Sequence, residues 1–119
     1  MKLPKRVTIC EVGTRDGFQI EPDFIPTEAK IEVVNKLAAT GMPRIEVTSF
    51  VSPKAVPQLK DAEMVMAGIA RRPGTRYSAL VPNDKGFVAA DYCLHGALRL
   101  FVRRQFSSRI KNYCMRRVP

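Results

Sequence analysis

Two stops in the chain, Gly41-Met42-Pro43 and Pro73-Gly74-Thr75, leave little choice of architecture. Each closes a stretch with helical spacing, and a short run of β-type residues follows at once. Ahead of the first stop, Ile31, Val34, Leu37 and Ala38 mark one helical face, with Thr27 as the expected N-cap and Glu28 in the first turn. Gly41 suits the left-handed position just past a helix end, and Pro43 prevents the helix from resuming. Ahead of the second stop, Asp61 is the expected cap of a helix with Met64, Val65, Gly68 and Ile69 on its apolar side. Arg71 and Arg72 are expected in its last turn, where cations suit the helix dipole. Strands are expected over residues 7–12, 44–47 and 76–81, and residues 85–90 look like the start of a third helix. The alternation is βαβαβα, which predicts an α/β fold with a parallel sheet and right-handed crossovers.

The connections are unequal. The two αβ connections are about three residues each, whereas the first two βα loops run to roughly a dozen and hold most of the unusual polar side chains. Short connections on one face and long, decorated ones on the other put chemistry at the carboxyl ends of the strands. Glu11, Arg15, Asp16 and Gln19 follow the first strand, with Gly13 and Gly17 placed where a sharp backbone turn is expected. Glu46, Thr48 and Ser49 close the second strand and Asn83 follows the third. Adjacent parallel strands lie about 4.8 Å apart, so these groups can converge on one pocket. Plainer roles stand beside each. Arg15 and Asp16 could be a surface ion pair, Ser49 a turn or capping hydroxyl, Asn83 turn chemistry after Pro82, and Gln19 an ordinary loop amide. Glu11 and Glu46 are harder to explain away, because a carboxylate closing a buried strand needs a partner.

The formal net charge of +9 suggests a nucleic-acid binder until it is located. Residues 1–90 hold 13 Lys+Arg against 10 Asp+Glu, a balance of +3, and residues 91–119 hold 7 against 1, a balance of +6. The charge therefore describes a tail, and the body is nearly neutral. The three cysteines, Cys10, Cys93 and Cys114, are too widely spaced for a disulfide framework or a metal knuckle, and Cys10 is expected to be an inert residue in a buried strand. No apolar run follows the basic N-terminus as in a leader, and none approaches the roughly 18 residues of a membrane span. A reduced cytoplasmic setting is the expectation.

Taken together, residues 11–19 (Glu-Val-Gly-Thr-Arg-Asp-Gly-Phe-Gln), residues 25–27 (Ile-Pro-Thr), residues 45–54 (Ile-Glu-Val-Thr-Ser-Phe-Val-Ser-Pro-Lys), Val56-Pro57 and Pro82-Asn83 resemble hydroxymethylglutaryl-CoA lyase. That family belongs to the metal-dependent (β/α)8 lyases and synthases. The likeness covers about residues 5–90; Thr14, where proline is usual, and Phe18, where leucine is usual, are mild departures. The Arg-Asp-Gly element is common to the superfamily, and residues 48–54 point to the lyase branch. The resemblance implies the first three βα units of a (β/α)8 TIM barrel and a retro-Claisen cleavage of 3-hydroxy-3-methylglutaryl-CoA to acetyl-CoA and acetoacetate, as in leucine degradation and ketone-body formation. It implies Asp16 as ligand to a divalent cation, Mg2+ or Mn2+, since hard oxygens suit hard ions. Arg15 would stabilise the enolate over the thioester carbonyl, and Glu11 would orient Arg15 or a metal-bound water. Glu46 would support the site from the second strand, Gln19 would shape the pocket, and Ser49 and Asn83 would contact the acyl-CoA.

A whole barrel of this kind needs eight βα units and about 250 residues, and three are recognisable here. The His-x-His ligand pair that the resemblance calls for has no counterpart, since Cys93-Leu94-His95 arrives too early and in an expected helix. The chain thus reads as two parts, 1–90 as a partial barrel and 91–119 as a basic tail unlike the family, of the kind a changed reading frame produces. Resequencing around codon 90 tests that origin. Within the tail, residues 98–102 have strand character. The rival function is a non-catalytic fragment that binds nucleic acid or a protein partner, with Arg99, Arg103, Arg104, Arg109, Lys111, Arg116 and Arg117 interleaved with Phe101, Phe106 and Tyr113. No nucleic-acid motif frames these residues. Open sheet edges also invite pairing, so a homo-oligomer is a further expected outcome.

Overall fold

A computed structural model gives the structure of residues 3–93. The tail from residue 94 onward, with His95 and the expected strand over 98–102, lies outside the described residues. Three strands, β1 (Cys10–Glu11), β2 (Arg44–Ser49) and β3 (Arg76–Leu80), form one parallel sheet in the order β1-β2-β3. Helices α1 (Thr27–Ala39), α2 (Ala62–Gly68) and α3 (Asp84–Cys93) follow them in turn. Ile45, Val47, Tyr77 and Ala79 of the sheet pack with Val34 and Ala38 of α1, Val65 and Met66 of α2, and Ala90 of α3 in one buried cluster. The βαβαβα order is as expected.

Gly41 and Gly74 take positive φ, +83° and +88°, so the turn that ends α1 and the turn that leads into β3 both use glycine for its left-handed conformation. At the first, the Thr40 and Gly41 N–H groups return to the Leu37 and Ala38 carbonyls. Gly68 serves differently, since a Cβ there would collide with Ile31 Cδ1 where α1 and α2 cross. Gly86 does the same for α3, because its Cβ would strike the Phe50 carbonyl oxygen at the exit of β2.

Four expectations need correction. The first strand runs only from Cys10 to Glu11, with Val7 78% and Ile9 63% exposed and Cys10 exposed as well. β1 lies at an edge and leans chiefly on β2, so the apolar residues before it have no cover among the described elements. Thr27 is the first residue of α1, and Pro26 holds the N-cap position; the Thr27 hydroxyl donates to Asp61 Oδ2 at 2.8 Å. Asp61 holds the N-cap position of α2, but its carboxylate serves Thr27 and Lys30 and caps no N–H. Finally, α2 stops at Gly68, so Arg71 and Arg72 lie beyond it, and Met64 is exposed while Met66 is buried. The chain leaves the helix because side chains from elsewhere take up its next backbone groups. Asn35 Oδ1 accepts the Ala70 N–H, and the Tyr77 hydroxyl accepts the Arg72 N–H while donating to the Ala70 carbonyl.

Candidate active site at the strand ends

Immediately after β1 the chain forms a π-helical turn, Gly13–Gly17, in place of the expected loop. The Val12 carbonyl accepts the N–H groups of Arg15 (3.0 Å) and Asp16 (2.7 Å). Neither Gly13 nor Gly17 has a positive φ, so glycine is not needed there for backbone freedom, contrary to expectation. Gly13 is needed for space: Glu11 folds back over it, Oε1 accepts the Gly13 N–H at 2.6 Å, and a Cβ would stand 2.9 Å from that oxygen. Nothing in the structure explains glycine at 17.

The turn presses on β2. Thr14 is buried and its hydroxyl donates to the Glu46 carbonyl at 2.9 Å. Arg15 Nε donates to Glu46 Oε1 at 2.5 Å, and Arg15 Nη1 pairs with Asp16 Oδ1 at 2.6 Å. β2 is irregular at this point: Glu46 pairs with Ser78 and Thr48 with Ala79, so Val47 is an extra residue in the ladder. A bulge of this kind re-aims the side chains beside it. Arg15 and Glu46 are each less than one-fifth exposed, whereas Asp16 is 61% exposed.

Of the residues singled out in the sequence, Arg15, Asp16 and Glu46 form one hydrogen-bonded unit. Glu11, expected to orient Arg15 or a metal-bound water, stands next to it with its carboxylate on the Gly13 N–H, and the carboxylate that holds Arg15 Nε is that of Glu46. Ser49 is 1% exposed, and its hydroxyl is the single buried side-chain polar atom without a partner among the described residues. Asn83 Oδ1 accepts the Gly86 N–H at 2.8 Å and caps α3, while Gln19 is half-buried and makes no side-chain hydrogen bond among the described residues. Asp16 offers one hard oxygen of the kind Mg2+ or Mn2+ prefers. Among the described residues, however, no three His, Cys, Asp or Glu side chains come together to hold a metal, so these residues alone do not fit a chelated ion.

Sequence reasoning missed two features. One is Thr14, a small polar residue in a polar segment with no sign of burial. The other is a buried cluster behind the loops. Lys30 Nζ donates to Asp61 Oδ1 at 2.7 Å and to the Gln58 carbonyl, and it lies 4.2 Å from the centre of the Phe24 ring. Its signal was available, since Lys30 sits four residues before Val34 and eight before Ala38 on the buried stripe of α1. Gln58 Nε2 also donates to the Glu21 carbonyl, so the first and second βα loops are tied together.

Comparison with known proteins shows which family the chain is related to. The chain is 53% identical over 88 residues to the mitochondrial hydroxymethylglutaryl-CoA lyase of Rattus norvegicus and 56% identical over 86 residues to the lyase YngG of Bacillus subtilis. This chain is a relative of the hydroxymethylglutaryl-CoA lyases. The matches take in 74% and 72% of this chain but 27% and 29% of those proteins, so it spans under a third of their length. An HMG-CoA lyase from Acinetobacter baumannii, solved in complex with coenzyme A and 3-methylmalate, superposes with a TM-score of 0.75 at 45% identity, over 80% of this chain and 30% of that one. No protein-family model matches the chain. Among the described residues no helix is long and apolar enough to cross a membrane.

Proposed function

We propose that residues 5–90 are the first three βα units of a (β/α)8 barrel and carry the Arg15–Asp16–Glu46 part of an HMG-CoA lyase site. The observation that supports this most directly is the Arg15 side chain, held by Glu46 on the neighbouring strand beside the carboxylate of Asp16. An acyl-CoA as the substrate class is supported by the Acinetobacter relative, which binds coenzyme A. In the cleavage, the C3 hydroxyl proton goes to a base, the C2–C3 bond breaks to give acetoacetate, and the electron pair becomes the enolate of acetyl-CoA. Arg15 faces that developing negative charge with a guanidinium already fixed in place, so little reorganisation is needed as the bond breaks. Asp16 is the one residue here proposed to reach a divalent cation; such an ion would need further ligands from outside the described residues and would then supply Lewis acidity at the substrate hydroxyl. Ser49 is the proposed substrate contact, because its buried unpaired hydroxyl costs about 1–3 kcal/mol until something partners it.

Grafting residues 5–90 in place of the matching segment of the Bacillus subtilis lyase tests this reading. The chimera is expected to cleave HMG-CoA, R15Q in the chimera to lower kcat by roughly 10²-fold or more, and the isolated chain to show no turnover. A folded chimera without activity, or R15Q with full activity, overturns it. The basic side chains that would favour nucleic-acid binding lie outside the described residues.

A further inference from the structure

We infer that Thr14 is a positioning residue for the Arg15–Glu46 pair, a hydroxyl that locks the π-helical turn onto the bulge of β2. The contact itself is independent of the lyase reading; only its catalytic consequence rests on that reading. Residues 14 and 15 grip the same residue of β2 at two points. Thr14 Oγ1 takes the Glu46 backbone carbonyl, and Arg15 Nε takes the Glu46 carboxylate. One point alone would not fix the geometry. Arginine and glutamate are long, flexible side chains, and a partly exposed ion pair between them is worth at most about 1 kcal/mol, too little to hold both in one arrangement. The Thr14 contact differs in kind, because Thr14 is only 2% exposed and its hydroxyl is shielded from competing water.

The two backbones that meet here are both irregular. A π-helical turn is uncommon and needs outside support. Gly13–Gly17 receives it from Val12, from Glu11 and, through Thr14, from the Glu46 carbonyl of β2. On β2, the extra residue Val47 follows Glu46 directly, so the direction of the Glu46 side chain depends on where the bulge sits. Joining the turn to the Glu46 carbonyl therefore sets the register between the element carrying Arg15 and the element carrying its partner.

The test reads the Arg15 Nε–Hε resonance in the full chain by NMR, assigned by its disappearance in R15K, with T14S, T14V and T14A compared. T14S keeps the hydroxyl, and its Hε shift and exchange rate are expected to match the wild type. T14V and T14A lose the hydroxyl, and Hε exchange is expected to speed by between about two- and tenfold, the range of a lost hydrogen bond. Unchanged exchange in T14V or T14A overturns the inference. Should neither variant fold, the Thr14 hydroxyl proton of the wild type is read directly; slow exchange supports the contact, and free exchange overturns it. The lyase chimera separates the two readings. There T14V is expected to lower kcat, with T14S restoring it. Faster Hε exchange without loss of kcat would leave the positioning role intact and count against the catalytic role of Arg15.

Discussion

Lys30→Met removes the cation from a cluster that has almost no access to water. The Lys30 and Asp61 side chains are 3% and 1% exposed, and the ammonium reaches the carboxylate at 2.7 Å. In the variant, Asp61 would keep the Thr27 hydroxyl as its one side-chain partner among the described residues. Stripping one member from a buried pair costs about 3–5 kcal/mol, mostly through the charge left behind. That is a large share of the roughly 5–15 kcal/mol that holds a small domain together. The double variant K30M/D61L removes both charges, yet it leaves the Gln58 carbonyl and the Thr27 hydroxyl without these partners. It should therefore be less damaging than the sum of the two single changes, while not fully neutral. Urea titration followed by circular dichroism gives the four free energies of the cycle. A coupling of at least about 2 kcal/mol is expected, within the usual range for groups in contact. A K30M cost below about 1 kcal/mol, or additivity within about 0.5 kcal/mol, would refute the view that this pair fastens α1 to the second βα loop.

Gly86→Ala is a test of sign. Alanine ordinarily stabilises a helical position by roughly 0.5–1 kcal/mol over glycine, but here its Cβ meets the Phe50 carbonyl oxygen. A loss of about 1–3 kcal/mol is expected in a thermal melt, and any gain would show that α3 does not press on the exit of β2. Cys10 is exposed, so iodoacetamide should label it in the folded chain about as fast as in denaturant, read by peptide mass spectrometry. Strong protection would mean that β1 is covered in solution.

Segments with strong internal periodicity were readable in the sequence. The stripe Val34–Ala38, the glycine at 41 and the short connection to Arg44 determined α1, its end and the parallel direction of β2 without any tertiary information. The chain around 7–12 was misread because β-branched residues signal burial only when other elements supply the cover, and β1 has a described neighbour on one side alone. Asp61 was misread for a related reason: its capping position is local, whereas its actual partners, Thr27 and Lys30, are 34 and 31 residues away. The end of α2 depended on Asn35 and Tyr77, both remote in sequence. Arg15, Asp16 and Glu46 were legible as a group through resemblance, but the π-helical turn that brings them together was not. Its extra residue per turn leaves no mark on a pattern of glycines and charges.

The satisfied and unsatisfied groups at the rim bear on the proposed lyase site. Three consecutive residues of the π-helical turn are committed to the protein itself. Gly13 donates to Glu11, Thr14 to the Glu46 carbonyl and Arg15 to the Glu46 carboxylate. Asp16 follows them and is turned outward, its carboxylate held among the described residues by Arg15 alone and 61% exposed. Glu46 and Asp16 thus place two negative groups on one guanidinium, and only the outer one faces solvent. At the last residue of the neighbouring strand, Ser49 holds the single buried hydroxyl without a partner among the described residues. Tyr77, Asn35 and Lys30 are satisfied within the described residues, whereas a partner for Ser49 must come from outside them. The exposed carboxylate follows β1 and the unpartnered hydroxyl closes β2, on the face where the long loops emerge. A substrate carrying both a charged end and hydrogen-bonding oxygens would answer both groups, and the lyase reading supplies one.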